Sequence, residues 1–227
     1  MVVDVVSIGM FALVGAMLLQ QHLGGRRAAP SSASVLPQGS YLDLEGRPVM
    51  GSGTSKLFVV EFSDFECPFC RRYATDVFGE IKRELIDKGR VRYAFVNNPL
   101  TAIHPLAVML ASAAICANQQ GRFWEMHTAL FTRDILDDTD IVAAASDVGL
   151  KPDAFSSCIR DDERMAKTIE RDLRAAQQLG IVGTPSFVFG RVDATGRLLA
   201  TRAIRGSQPF NVFAREVDAL ARDASPR

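Results

Sequence analysis

The chain has 227 residues, 48% of them apolar, which is ample for a buried core in one or two domains. Its 26 basic and 26 acidic residues balance, so net charge suggests no nucleic-acid surface. Four cysteines are too few for a disulfide-built scaffold of this length; they fit a globular protein with one reactive pair and one structural bridge.

Residues 2–19 are apolar nearly throughout, with Asp4 the one charge, and Gln20, Gln21 and His22 end the run abruptly. The start carries no Lys or Arg, and the nearest plausible cleavage site, around Ala33, lies far beyond Leu19. The segment 1–23 therefore reads as an N-terminal membrane anchor or signal segment, with the uncleaved anchor preferred. Arg26 and Arg27 argue for a cytoplasmic flank by the positive-inside rule. Residues 24–40, rich in Gly, Ala, Ser and Pro and without periodicity, predict a flexible tether. The folded domain is expected over 41–227, opening with a short strand and turn at Tyr41.

Leu57, Phe58, Val59, Val60 and Phe62 form a β-type run that leads directly into Cys67-Pro68-Phe69-Cys70. Phe69, Tyr73, Val77, Ile81 and Leu85 then recur every four residues, the stripe of one helix. Cys67 is thus expected at a strand-to-helix junction, where free N–H groups and the helix dipole stabilise a thiolate. Cys70, one turn on, is placed to resolve a mixed disulfide, and Pro68 suits a first turn that needs no N–H from it. Arg71 and Arg72 would add positive charge; Asp64 and Glu66, read as solvated, would oppose the thiolate. A zinc site needs two more ligands, and Cys116, Cys158 and the three histidines show no such spacing, so no metal and no cofactor are expected. Glu61 interrupts an apolar strand, where a carboxylate is costly without a partner or a role. The alternative is an acid at a strand edge reaching water.

Residues 91–96 predict the next strand, broken by Asn97, Asn98 and Pro99. Helical spacing then continues from Pro105 to about Leu179, too long for a simple crossover, so residues 104–180 read as an inserted helical subdomain. Within it the acidic cluster at 137–140 marks a helix start, Gly149 an end, and Asp153 a candidate cap. His104 reads as a helix-start residue and His127 as a packing residue. Ile181–Val182, residues 186–189 and 198–204 return to strand composition, with a hairpin turn at 193–196 and a last helix from Phe210 to Ala221. Thr184-Pro185 precedes the first long strand of that set; on its own it reads as a proline that starts or protects a strand edge.

The run from Glu61 to Cys70, followed far downstream by Gly183-Thr184-Pro185, resembles the DsbA-like branch of the thioredoxin superfamily. Gly121, Phe123, Trp124, His127, Leu130 and Phe131 resemble that branch's helical region. The resemblance runs from about Tyr41 to the C-terminus. It implies an α/β thioredoxin-like fold with a helical insertion, and thiol–disulfide exchange outside the cytoplasm. It implies a cis bond before Pro185, with Thr184 pairing its backbone to an extended substrate, and a buried Glu61 that relays a proton to Cys70. Phe69 departs from the branch's best-known oxidants, which carry histidine there, and offers the thiolate no hydrogen bond.

The expected function is donation of disulfides to folding, cysteine-containing clients, by a monomer held at the cell membrane by a single N-terminal anchor and facing the periplasm or cell exterior. A membrane redox partner would reset the dithiol. Two alternatives stand beside it: a membrane-anchored reductase or isomerase, and a dithiol Cu(I) metallochaperone, which the lack of a Met-rich or His-rich tract disfavours. In an oxidising compartment Cys116 and Cys158 are expected to bridge, closing a loop worth about 4 kcal/mol; the alternative is two separate buried thiols.

Overall fold

The computed structural model describes residues 33–135 and 137–223, so the expected anchor and the first part of the tether lie outside the described residues. Among the described residues no helix is long and apolar enough to cross a membrane.

In chain order the strands are β1 (Ser34–Val35), β2 (Tyr41–Leu42), β3 (Val49–Met50) and β4 (Leu57–Ser63), followed by helix α1 (Pro68–Asp76) and short helix α2 (Phe78–Ile81), which runs on into a wide π-type turn, Lys82–Ile86. Then come β5 (Arg92–Asn97), helices α3 (Ala107–Gln119), α4 (Phe123–Thr132), α5 (Asp138–Asp147), α6 (Pro152–Ile159) and α7 (Asp162–Gln178), strands β6 (Ser186–Val192) and β7 (Leu198–Arg205), and helix α8 (Phe210–Asp223). The sheet order is β1-β7-β6-β4-β5-β3, with β2 also on β7. Among the described residues only β4 and β5 run parallel, joined by the α1–α2 crossover; the other pairs are antiparallel. β1 falls inside the segment read as tether, because the open edge of β7 offers backbone partners to whatever chain lies beside it.

β4 is buried along nearly its whole length because it is paired on both sides and covered on both faces. Phe58, Val60 and Phe62 point to one face and pack under Ala175, Ala176 and Leu179 at the end of α7. Val59 points to the other, against Tyr73 of α1, Ile81 and Leu85 of the α2 segment, and Phe213, Val217 and Leu220 of α8. The alternation of a strand thus assigns Val59, Glu61 and Ser63 to the α1 side. The β6–β7 ladder slips at Phe189/Gly190, where a side chain on Gly190 would meet the Leu199 carbonyl at 2.4 Å, so only glycine fits.

The helices between β5 and β6 enclose a second core, in which Leu110, Cys116, Met126, Ile141, Phe155 and Cys158 meet Phe65 and Phe95 of the sheet domain and the cysteines Cys67 and Cys70. The insertion therefore packs directly on the dithiol. Its last helix, α7, is shared: Met165 lies in the insertion core while Ala175 and Ala176 roof the sheet. Cys116 and Cys158 form a disulfide with Cα atoms 5.8 Å apart, tying α3 to α6 across 42 residues.

Three local readings change. The stripe after Cys67 is not one helix, since the chain breaks at Val77 (φ −119°) and resumes as α2, and Phe69 lies off the buried stripe, 53% exposed. Ile181–Val182 is not a strand; β6 begins at Ser186. Asp153 does not cap α6: Lys151 occupies the cap with Pro152 at the first helical position, and Asp153 sits in the first turn, where its charge suits the helix dipole. Asp137 does cap α5, its carboxylate accepting the N–H groups of Thr139 and Asp140.

Candidate active site

The dithiol forms where the buried central strand gives way to a helix. β4 ends at Ser63, residues 64–66 turn, and Cys67 is the N-cap of α1 with extended backbone (φ −70°, ψ 123°). Pro68 at the first helical position supplies a preset φ where no N–H is required. The N–H groups of Phe69 and Cys70 remain directed at Cys67.

The two thiols differ sharply. Cys67 is drawn down to about 5, first by the hydrogen bond from the Cys70 thiol and then by the Thr184 side chain and the free N–H groups, against a desolvation that opposes its charge. Cys70 is buried outright, and burial pushes its thiol far above the ordinary value, with the nearby Cys67 charge adding to the effect. Near neutral pH the pair therefore shares one proton, held by Cys70. Both are free thiols here.

Thr184-Pro185 lies against this pair. Their peptide bond is cis, and the Cys67 thiol, when protonated, donates to the Thr184 carbonyl at 3.5 Å. The chain on either side is fixed by Ser186 Oγ donating to Gly183 O (2.6 Å) and Gly206 N donating to Pro185 O (2.7 Å).

Glu61 does not reach water: it is buried in the middle of the sheet. Burial lifts its carboxyl to about 7, moderated by the Ser63 hydroxyl nearby and by the hydrogen bond from Tyr93. Tyr93 donates to Glu61 Oε2 at 2.8 Å, and the Tyr73 and Tyr93 hydroxyls are 2.9 Å apart. Tyr73 stands three residues after Cys70 on the inward side of α1, so the helix that carries the dithiol reaches the buried acid through two phenols.

Asp64 and Glu66, expected in solvent, instead clasp the turn before Cys67 to the loop before α3. Asp64 is buried; its Oδ1 accepts Glu66 N (2.8 Å), and its Oδ2 accepts Leu100 N (2.8 Å) and meets His104 Nδ1 at 2.7 Å. Glu66 Oε2 accepts Leu106 N at 2.6 Å. Desolvation lowers the His104 pKa, but Asp64 outweighs it, with Cys67 and Glu66 adding, so the imidazole rests above its usual value. His104 is therefore a partner of the turn and not the start of a helix, since α3 begins at Ala107. Nothing in local spacing marks these pairs, whose members stand 36–40 residues apart. Arg71 is also redirected: its guanidinium donates to the carbonyls of Phe131 and Arg133 at the end of α4, and Arg72 stacks over Phe69, 5.2 Å from the ring centre. Among the described residues no group of three or more His, Cys, Asp or Glu is arranged to hold a metal ion.

A thioredoxin family model matches residues 43–196. Disulfide bond formation protein D of Bacillus subtilis is 30% identical over 150 residues, covering 63% of this chain and 67% of that protein. The Na(+)/H(+) antiporter NhaA 3 of Salinispora tropica is 35% identical over 181 residues, 79% of this chain but only 25% of the antiporter, so the chain spans about a quarter of that relative's length. Among solved structures, oxidised BdbD from Bacillus subtilis superposes with a TM-score of 0.67 at 22% identity, covering 83% of this chain and 100% of the other, a likeness of fold.

Proposed function

The chain belongs to the thioredoxin family, in its DsbA-like branch of thiol:disulfide oxidoreductases, and from that premise we propose that it donates disulfides to folding proteins outside the cytoplasm through Cys67 and Cys70. The observation that carries the direction is the split between a Cys67 drawn down to about 5 and a Cys70 pushed far up. The Cys67 thiolate exists only in the reduced protein. Whatever stabilises it favours the reduced form, and so strengthens the disulfide as an oxidant.

The reaction follows from that asymmetry. A client thiolate attacks Cys67 Sγ of the Cys67–Cys70 disulfide; the sulfur–sulfur bond breaks, and Cys70 leaves and takes a proton. A second client thiolate then attacks the client sulfur of the mixed disulfide. Cys67 departs as a thiolate, a good leaving group because of its low pKa. The client has lost two electrons and this protein holds them as a dithiol, to be reoxidised by a membrane redox partner. Glu61, poised near neutrality, would exchange the proton with Cys70. Thr184, ahead of Pro185, would pair its backbone with the client chain by strand addition.

The surface beside the dithiol suits an unfolded client. Phe69, Ile103 and Val182 are 53%, 69% and 76% exposed, and they lie two residues from Cys67, next to His104, and two residues before Thr184. Exposed apolar side chains on the segments that form the dithiol site favour a partner that also exposes apolar chain. A monomer tethered through residues 1–23, its domain facing the periplasm or cell exterior, completes the reading.

The test is equilibration of the protein with glutathione buffers, read by alkylation and mass. The expected potential lies above the about −270 mV of thioredoxin, toward the disulfide donors. A pair that stays oxidised in strongly reducing buffer would replace donation with the membrane-anchored reductase or isomerase.

A further inference from the structure

Ser63, so far named only for its effect on Glu61, stands in the chain between the buried acid and the buried thiol, at the end of β4. It is the last residue of β4, two after Glu61, so strand alternation puts both side chains on the α1 face, where Val59 packs against Tyr73. Cys70 and Tyr73 are the buried residues of α1; Tyr73 packs on that surface, and Ser63 is near enough to Cys70 to act on its thiol. Tyr93 occupies Oε2 of Glu61, leaving Oε1 as the free oxygen. Both Glu61 Oε1 and Ser63 Oγ are buried without an ordinary hydrogen-bond partner. A pair of orphaned polar atoms on one face is costly unless it serves a purpose.

We propose that Ser63 is a proton-relay residue, its hydroxyl passing the proton between Cys70 Sγ and Glu61 Oε1. The hydroxyl also acts electrostatically on both groups, drawing the acidity of Glu61 and of Cys70 back from where burial sets them. Neither partner meets the geometry of an ordinary hydrogen bond to Ser63, as suits a hydroxyl that addresses two partners in turn and can both donate and accept. A serine in this place does with a fixed side chain what a bound water would otherwise have to do.

The balance is simple. When a client thiolate opens the disulfide, Cys70 leaves as a thiolate and takes the Ser63 proton as Ser63 takes the proton of the Glu61 carboxyl. One S–H bond forms, one carboxyl O–H bond breaks, and the serine hydroxyl is regenerated. In the reverse direction Cys70 gives its proton through Ser63 to the Glu61 carboxylate before attacking the mixed disulfide. No electron passes through Ser63.

The inference rests on the reading that Glu61 trades a proton with Cys70, and the experiment separates the two. The full-length chain, oxidised, is mixed with a peptide carrying two cysteines, and its reduction is followed between pH 5 and pH 9. Ser63→Ala removes one buried oxygen and no ordinary hydrogen bond, so the fold is retained. It is expected to slow the reaction about ten-fold or more and to erase the inflection near pH 7, while alkylation of Cys67 in the reduced protein keeps its pKa. Glu61→Gln should slow it similarly, the double variant should be no slower than the slower single one, and Ser63→Thr, which restores the hydroxyl, should recover most of the rate. A Ser63→Ala rate within about two-fold of the parent beside a slow Glu61→Gln would overturn the relay and leave the Glu61 reading standing. Parent rates in both would remove both. Losses that multiply in the double variant would show independent action and also overturn the relay.

Discussion

His127 sets a floor on the pH range in which the protein is stable. It is buried on α4, and neither ring nitrogen has a hydrogen-bond partner. Six aromatic rings surround it, from Phe131 at 4.9 Å between centres to Phe65 and Phe123 at 6.0 Å, with Phe78, Trp124 and Phe95 between. Burial holds its pKa at about 3, against 6.5 for the free side chain. The unfolded chain therefore binds a proton that the folded chain refuses, and stability is full above pH 6.5 and falls as pH drops toward 3. The difference amounts to about 2 kcal/mol at pH 5 and about 3 kcal/mol at pH 4. Glu61 works the other way. Its folded pKa is raised to about 7, so its contribution is fully present below about 4.5 and is lost as pH rises through 7. The whole-protein curve blends the two, and a variant isolates the histidine. His127→Phe keeps a ring in the aromatic box and removes the titration. Urea unfolding of both proteins at pH 8 and pH 5 should show the variant's advantage growing by about 2 kcal/mol at the lower pH. Parallel curves would refute the reasoning, because they would mean that the imidazole is solvated or partnered in the folded state.

Three further outcomes are expected. Asp172→Ala should cost about 3–5 kcal/mol in the same unfolding assay, because it strands Arg47, paired with it at 3.0 Å with both side chains 2% exposed, and deprives Asn97 of an acceptor; a loss under about 1 kcal/mol would mean the pair is solvated. Cys70→Ala should trap clients as reducible mixed disulfides while Cys67→Ala traps few, and equal trapping by both would reverse or cancel the assigned roles. A reporter active only after export, fused after Arg227, should be active; activity of a cytoplasmic reporter instead would side with Arg26 and Arg27 and place the domain inside.

What could be read from the sequence was local. The run from Leu57 to Phe62 announces a central strand because only full burial tolerates so many apolar residues in succession, and the cysteines that follow it announce a strand-to-helix junction. Asp137 before a helix and the turn at 193–196 are signals of the same kind, satisfied within four residues. What escaped notice joins distant parts of the chain. Asp64 finds His104, Tyr93 finds Glu61, and Arg47 finds Asp172 only after the sheet and insertion have packed. No spacing rule distinguishes an acid that will be clasped from one that will be solvated, which is why Asp64 and Glu66 were expected in water. The break at Val77 has a similar origin: heptad-like spacing fixes which residues face inward, but not whether the backbone between them stays in one helix.

The second cysteine pair has a consequence for how such a molecule comes into being. Cys116–Cys158 lies in the same core as the dithiol, fully enclosed at one sulfur-bearing residue and nearly so at the other. Once the insertion has closed, no thiolate reaches that bond, so it is kept from exchange with the Cys67–Cys70 pair. The same enclosure means the bond must be made while the chain is still open. A newly made chain is then itself an unfolded chain with four reduced cysteines, of the kind the proposed reaction would serve. If Cys67–Cys70 donates disulfides, mature copies would oxidise their successors, and production of the folded form would be autocatalytic, slow from the first molecule and faster with each one completed.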